Sequence, residues 1–230
     1  MDYEAFDFGQ LEERIGYHFQ DPTLLRTALT HSSFANEYHV KEIHHYERLE
    51  FLGDAILEYI TSETLYEKYP ELSEGALTKR RASLVCEYTL SQITRDLGYG
   101  DFVFLSKGER MTGGSDRPSI LCDLFESVLG AIYLDGGLEP ARKYVEQHLL
   151  TDLEHKTLFT DAKTILQEYA QREGKKVSYD LLEQSGPDHQ KDYHVQVCVD
   201  EEKLAEGHAH SIKGAQMEAA HKAIRELGLC

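Results

Sequence analysis

The chain has 230 residues, 41% of them hydrophobic and 28% charged, an ordinary globular mix with room for one large domain or a medium and a small one. No run approaches 18 apolar residues, and the acidic opening MDYEAFDFGQ lacks a basic region followed by an apolar one. The sequence therefore predicts no membrane-spanning helix and no secretory signal, and the expected location is the cytoplasm. A net charge of −17 argues against a phosphate-backbone partner, since such proteins carry a basic footprint.

Residues 9–20, GQLEERIGYHFQ, place Leu11, Ile15 and Phe19 at i, i+4 and i+8, a helical series. Asp21 and Pro22 start a second, short helix, TLLRTALTHSSF, as N-cap and first-turn residue. Residues 35–44 are polar and read as a loop. A helix is expected over 46–69, stopped by Pro70. Ser73 caps the next, expected to run unbroken to about Leu97 and to end at Gly98. It opens with Lys79, Arg80 and Arg81, the densest basic cluster of the chain. Residues 98–118 hold five glycines and one proline, a long irregular connection with strand-like alternation only at 102–105. An almost wholly apolar helix over 119–134 and an amphipathic one over 138–156 complete an all-α first part.

The pattern changes after about residue 157. Residues 161–173 form a helix with Asp161 as N-cap. SYDLLEQ, DYHVQVCVD and KLAEGHAHS read as three strands. In the middle one Tyr193, Val195, Val197 and Val199 alternate with His194, Gln196 and Cys198. Residues 200–203 make the hairpin turn, and a helix over about 213–227 closes the chain. The order α-β-β-β-α is a small α+β domain with both helices on one sheet face. The domain division is 1–156 and 161–230, with a short polar linker at 157–160. The four cysteines are widely spaced and form no C-x-x-C pair, so they read as free thiols and indicate neither zinc nor a disulfide framework.

The chemistry concentrates in two segments. In HYERLEFLGD, residues 45–54, Glu47, Glu50 and Asp54 stand at steps of three and four, on one helical face. In SILCDLFESVLGAIYL, residues 119–134, Asp123 and Glu126 lie three apart among Leu121, Cys122, Leu124, Phe125, Val128 and Leu129. Acidic residues at helical spacing usually form a solvated face, which explains the first segment as well as any site does. It does not explain the second, whose neighbours are apolar. Glu50, Asp54, Asp123 and Glu126 together make an all-oxygen set on two facing helices, suited to Mg²⁺ or Mn²⁺ and to attack of water on a phosphodiester. A di-iron carboxylate bundle needs two Glu-x-x-His pairs; Glu42 and His45 fit one, and neither acidic segment supplies the second. Bound cations remove part of the charge objection, because loaded carboxylates no longer count as net negative.

HYERLEFLGDAIL closely resembles the signature of the ribonuclease III family, bacterial endonucleases of double-stranded RNA. DLFESVLGAIYLDGG resembles the family's second acidic motif, and residues 161–228 resemble its C-terminal double-stranded RNA-binding domain. The resemblance implies Asp54 and Glu126 as the catalytic pair. It implies Glu50, Asp123 and Glu126 as direct Mg²⁺ ligands, with Mn²⁺ able to substitute, and Glu47 and Glu74 as supporting acids. It further implies a homodimer seamed by the signature helix, with one site per strand, 5′-phosphate products and short 3′ overhangs. Processing of ribosomal RNA precursors and of some messenger and transfer RNA precursors follows. In the C-terminal domain the matched RNA contacts are Thr164, Gln167 and Gln171 on the first helix, His189 between the first two strands, and Lys213 at the last helix. Hydroxyls, amides and cations of this kind read A-form RNA by shape.

Two departures matter. Tyr46 stands where the signature usually has Asn, and is expected to alter a local contact and not the metal site. In SIKGAQMEAA, Ile212 and Gly214 interrupt the family's basic run and leave Lys213. With nine Lys and Arg against thirteen Asp and Glu over 161–230, weak and salt-sensitive RNA binding is expected of the C-terminal domain alone. The rival readings are a regulator that binds duplex RNA without cutting it, and an acidic helical scaffold with no nucleic-acid role.

Overall fold

The structure is a computed structural model that describes residues 3, 7–38, 44–151, 153–186, 191–209 and 211–229, with backbone alone over 154–160. The chain divides into two compact units, Met1–Thr151 and Asp152–Cys230.

The first unit is helical: α1 (Gly9–Ile15), α2 (Pro22–Ala28), α3 (Ser32–Tyr38), α4 (Glu47–Lys68), α5 (Glu74–Leu84), α6 (Glu87–Asp96), α7 (Lys107–Met111), α8 (Pro118–Gly136) and α9 (Leu138–His148). Helix α8 is its axis, packed against α2, α4, α6 and α9. Leu121, Leu124, Phe125, Val128, Leu129 and Ile132 are buried on several sides of it, as its apolar composition requires. Asp21 caps α2 by accepting from Thr23 N, and Ser73 caps α5 by accepting from Ala76 N.

Several expected boundaries move, each for a local reason. The helix read through TLLRTALTHSSF breaks at residues 29–31, where Thr30 forms a parallel bridge with Phe104. The strand-like stretch 102–105 is thus one isolated bridge and not a strand. Residues 35–38, read as loop, belong to α3. The helix expected from Ser73 to Leu97 is two helices. Cys86 is extended, at φ −79° and ψ 154°, and the Thr89 hydroxyl donates to the Ser83 carbonyl that a continuous helix would need for its own ladder. The connection 98–118 folds into two 3₁₀ turns around α7. The helix expected to reach residue 156 ends at His148.

The second unit contains α10 (Leu153–Arg172), β1 (Val177–Ser185), β2 (Asp192–Val199), β3 (Glu202–Ala209) and α11 (Ile212–Glu226). Helix α10 starts eight residues before Asp161, so residues 157–160 are helical and Asp161 is interior, not an N-cap. The strands form one antiparallel sheet in the order β1-β2-β3. Asp200 and Glu201 make the tight β2–β3 turn at φ 49° and 69°, the left-handed pair that a primed two-residue turn demands. Ala162, Leu166, Ala170, Val197, Val199, Ala205, Ala219, Ala220, Ala223 and Ile224 bury a single core between the sheet and both helices. Gly207 is small for a reason: a Cβ there would stand 2.1 Å from the Ala215 carbonyl oxygen of α11.

Candidate active site

The two acidic segments meet because two glycines let α4 and α8 touch backbone to backbone. A Cβ on Gly53 would lie 1.8 Å from the Glu126 carbonyl oxygen, and one on Gly130 would lie 2.3 Å from that of Leu49. A glycine inside a helix costs about 1 kcal/mol relative to alanine, so a close approach is what these two positions provide. Glu50 and Asp54 flank the contact on α4; Asp123 and Glu126 flank it on α8.

The four carboxylates interact. Burial pushes Glu126 up to about 8, and the charges of Asp54, Glu50 and Asp123 push the same way. Burial, then Asp123, Glu47 and Asp54, raise Glu50 to about 7. Asp123 is raised mainly by burial, against a hydrogen bond from Tyr46 that favours its charged form. Among the described residues, burial and neighbouring carboxylates raise these three groups, and no basic group is among the causes. Donor atoms of Cys122, Asp123 and Glu126 lie within 4.8 Å of one another. Three carboxylates of raised affinity for positive charge, fixed on two rigid helices, fit a hard divalent ion. The neutral thiol of Cys122, pushed far up by burial, adds little to such an ion.

Tyr46 corrects an expectation. Its buried hydroxyl donates to Asp123 Oδ2 at 3.0 Å, its backbone N–H donates to Thr30 O at 2.9 Å, and its ring lies edge-on to His31. It contacts a candidate ligand directly. Glu47 is exposed at the first turn of α4, 3.7 Å from His45, and bears electrostatically on Glu50 and Asp123. Glu42, the partner His45 would need in a di-iron pair, lies outside the described residues. Glu87, at the start of α6, also raises Asp123 and was not foreseen. Its position depends on the α5–α6 break, which the periodicity did not reveal.

Glu74 is not part of the cluster. It accepts from the Thr78 hydroxyl at 3.0 Å and lines an open cleft with Tyr59, Tyr66, Leu77 and Arg81, beside the C-terminal half of α4. Within the basic cluster, Arg81 donates to Ser62 Oγ and pairs with Glu58 at 3.4 Å, and Arg80 lies over the Tyr69 ring.

In the second unit Thr164, Gln167 and Gln171 are exposed on one face of α10. Lys213 is exposed in the first turn of α11, whose N-cap Ser211 accepts from Gly214 N. Lys163 joins them unforeseen. It donates to Gln216 Oε1 at 2.7 Å, and its pKa is lowered by burial and then by the Lys213 charge. Cations from both helices therefore approach one another. His189 lies outside the described residues.

Residues 21–153 match the Ribonuclease-III-like family, and residues 162–227 match the Double-stranded RNA binding motif. The chain belongs to the ribonuclease III family. It is 43% identical to Ribonuclease 3 of Bacillus velezensis over 223 residues, covering 96% of this chain and 90% of that one. It is 42% identical to Ribonuclease 3 of Bdellovibrio bacteriovorus over 219 residues, 93% of each. The nuclease domain of ribonuclease III from Campylobacter jejuni superposes with a TM-score of 0.57 at 40% identity, over 63% of this chain and 99% of that one; its description concerns a region involved in dimer formation. As a ribonuclease III family member the chain is an endoribonuclease, and its C-terminal motif makes duplex RNA its ligand. Among the described residues no helix is long and apolar enough to cross a membrane.

Proposed function

We propose that the chain is a cytoplasmic, Mg²⁺-dependent endoribonuclease that cuts both strands of double-stranded RNA as a homodimer and leaves 5′-phosphates and short 3′ overhangs. The observation that carries this reading is the meeting of Glu50, Asp54, Asp123 and Glu126 across the Gly53–Gly130 contact. Cleavage belongs to residues 1–156 and duplex holding to residues 161–230. Glu50, Asp123 and Glu126 would hold Mg²⁺, with Mn²⁺ a substitute. When bound, the metal supplies charge stabilisation on the phosphodiester and a more acidic attacking water. Asp54, exposed and electrostatically coupled to Glu126, would serve as the proton acceptor. The Tyr46 hydroxyl would orient Asp123 and favour its charged form against burial. Glu47 adds negative potential at the rim.

One cluster per chain cuts one strand, so double-strand cleavage calls for two chains. Phe51 supports a seam along α4: it is 81% exposed, too apolar for a solvated position, and Leu52 beside it is only half-buried. In the dimer Glu74 would line the valley between the two sites. Thr164, Gln167, Gln171, Lys213 and His189 would contact duplex RNA by shape and charge, as suits substrates drawn from ribosomal, messenger and transfer RNA precursors.

The test is cleavage of a long perfect duplex by wild type and Glu126→Gln in Mg²⁺, with ends mapped, and binding measured in Ca²⁺. The expected result is cutting by the wild type to products with 5′-phosphates and short 3′ overhangs, and binding without cutting by the variant. Full activity in the variant removes Glu126 from the site. Binding without cutting by both proteins would favour a duplex-binding regulator.

A further inference from the structure

The outer face of the small sheet carries a second cluster of metal-ligating side chains. His194 on β2 stands directly opposite His208 on β3, and Gln196 stands opposite Glu206. Val197 and Ala205 point into the core with both helices, so this set leaves the sheet on the other face. His194 Nε2 is 3.0 Å from Glu206 Oε2, and the two imidazoles stack with centroids 3.9 Å apart at 19°. One donor atom from each of His194, Glu206 and His208 lies within 4.8 Å of the other two.

Two details separate this cluster from an ordinary ion pair. His194 Nε2 is buried yet makes no hydrogen bond: its approach to Glu206 has the distance of one without the direction. Glu206 binds Lys203 through Oε1 and turns Oε2 to His194, so its second oxygen faces the imidazole pair and not the lysine. The register also brings Asp180 and Glu183 of β1 to this face, opposite Gln196 and His194, so the field there favours positive charge.

We propose that His194, Glu206 and His208 bind a borderline divalent transition ion, with zinc as the probe ion, on the face of the RNA-binding domain away from its helices. Two imidazole nitrogens and one carboxylate oxygen are a three-ligand zinc set that leaves a fourth position to water. Nitrogen donors disfavour Mg²⁺, so the site differs in chemistry from the carboxylate cluster. Bonds of about 2.0–2.1 Å to a tetrahedral ion set donors roughly 3.3 Å apart, so the trio must contract. The exposed His208 ring can do this by turning out of the stack. The bound ion would pin β2 to β3 across the Asp200–Glu201 turn and stabilise the folded domain by mass action. Of the RNA contacts proposed above, Thr164, Gln167, Gln171 and Lys213 lie on the helices and none belongs to this trio, so duplex binding is left alone. The inference does not rest on the proposed catalytic chemistry.

The experiment uses the full chain, stripped with chelator and dialysed against Zn²⁺ in excess Mg²⁺, with bound zinc counted by elemental analysis. Wild type is compared with His208→Gln, with the double variant His194→Gln/His208→Gln and with Glu126→Gln. Wild type and Glu126→Gln are expected to hold one more zinc per chain than either histidine variant. Zinc should raise the melting temperature of the second unit only where both histidines are present. Circular dichroism and duplex RNA gel shifts of the exposed-site variant His208→Gln should match wild type. Equal zinc counts in wild type and the histidine variants overturn the proposal. So does an extra zinc that is lost in Glu126→Gln and kept in the double variant.

Discussion

Replacing Gly53 by alanine tests the helix contact on which the carboxylate cluster depends. At an unobstructed helix position the change would gain about 1 kcal/mol of helix propensity. Here the new Cβ would start 1.8 Å from the Glu126 carbonyl oxygen, whereas ordinary contact begins at 3.4 Å, so α4 and α8 must part by about 1.6 Å at that point. Forcing extra atoms into a packed interface costs about 1–3 kcal/mol, and a shift of this size belongs at the upper end. The net expectation is a loss of about 2 kcal/mol, or roughly 4–8 °C in melting temperature for a unit of this size. Activity should fall further than stability does, since the displaced backbone is that of Glu126 itself. Misplacing a reacting group by about 1 Å costs on the order of 10²-fold. Gly75 is the control: nothing lies within 4 Å of a Cβ there, and Gly75→Ala should stabilise by about 0.4–1 kcal/mol. The assays are thermal unfolding and duplex RNA cleavage at saturating Mg²⁺. A Gly53→Ala protein as stable and as active as wild type would refute the backbone contact.

Tyr46→Phe removes the hydroxyl that donates to Asp123 Oδ2 and should raise the Mg²⁺ concentration needed for half-maximal cleavage by about 10–100-fold, with a smaller change in rate at saturation; an unchanged Mg²⁺ curve would remove Tyr46 from the site. The metal-free chain should lose stability as pH rises. Glu50 and Glu126 are raised from 4.5 to about 7 and about 8, so their stabilisation is complete below the unfolded value and is lost through that window. Mg²⁺ should stabilise more at pH 8.5 than at pH 5.5, and melts with chelator or Mg²⁺ at both values check the sign. Asp135 accepts from Tyr17 Oη at 2.6 Å and from the N–H groups of Gln20 and Asp21 at 2.9 Å; burial opposes its ionisation, but these hydrogen bonds win and hold it below the usual carboxylate range. Asp135→Asn should cost about 1–2 kcal/mol at pH 7 by urea unfolding, a gap that closes as pH falls through the folded value and that no gap at neutral pH would contradict.

The sequence made legible what one element states about itself. Asp123 and Glu126 stood out because Leu124, Phe125 and Val128 left no solvated face to explain them, and the structure half-buries both. The alternation of β2 and the polar run at 200–203 announced the hairpin, although the turn itself is only Asp200 and Glu201, and Glu202 and Lys203 already belong to β3. What stayed hidden depends on a second element. Gly53 and Gly130 each read as a local cost, and only their apposition turns two costs into the contact that assembles the site. Tyr46 read as a local substitution because the oxygen it binds is 77 residues away. Glu87 became a neighbour of Asp123 through a helix break at which the Thr89 hydroxyl and the Cys86 thiol both take the Ser83 carbonyl. His194 and His208 lie fourteen residues apart, and strand register alone stacks their rings.

The same logic answers the charge objection. A net charge of −17 describes the chain, whereas RNA meets only the surface presented to it. Several of those charges are spent internally: Asp135 ties residues 17–21 to α8, and Glu58 and Glu63 pair with Arg81 and Arg142. Glu50, Asp123 and Glu126 form a recess that calls for cations. On the helical face of the second unit, Lys163 and Lys213 come close enough for one to depress the other's pKa, a local positive field that composition cannot report. An approaching phosphate relieves that repulsion between the two ammonium groups. Lys163→Gln should therefore weaken duplex binding and flatten its salt dependence much as Lys213→Gln does. Their effects should be less than additive, because each removes the repulsion that the phosphate would have relieved. Additive losses in gel shifts across a salt series would mean that the two lysines contact RNA independently.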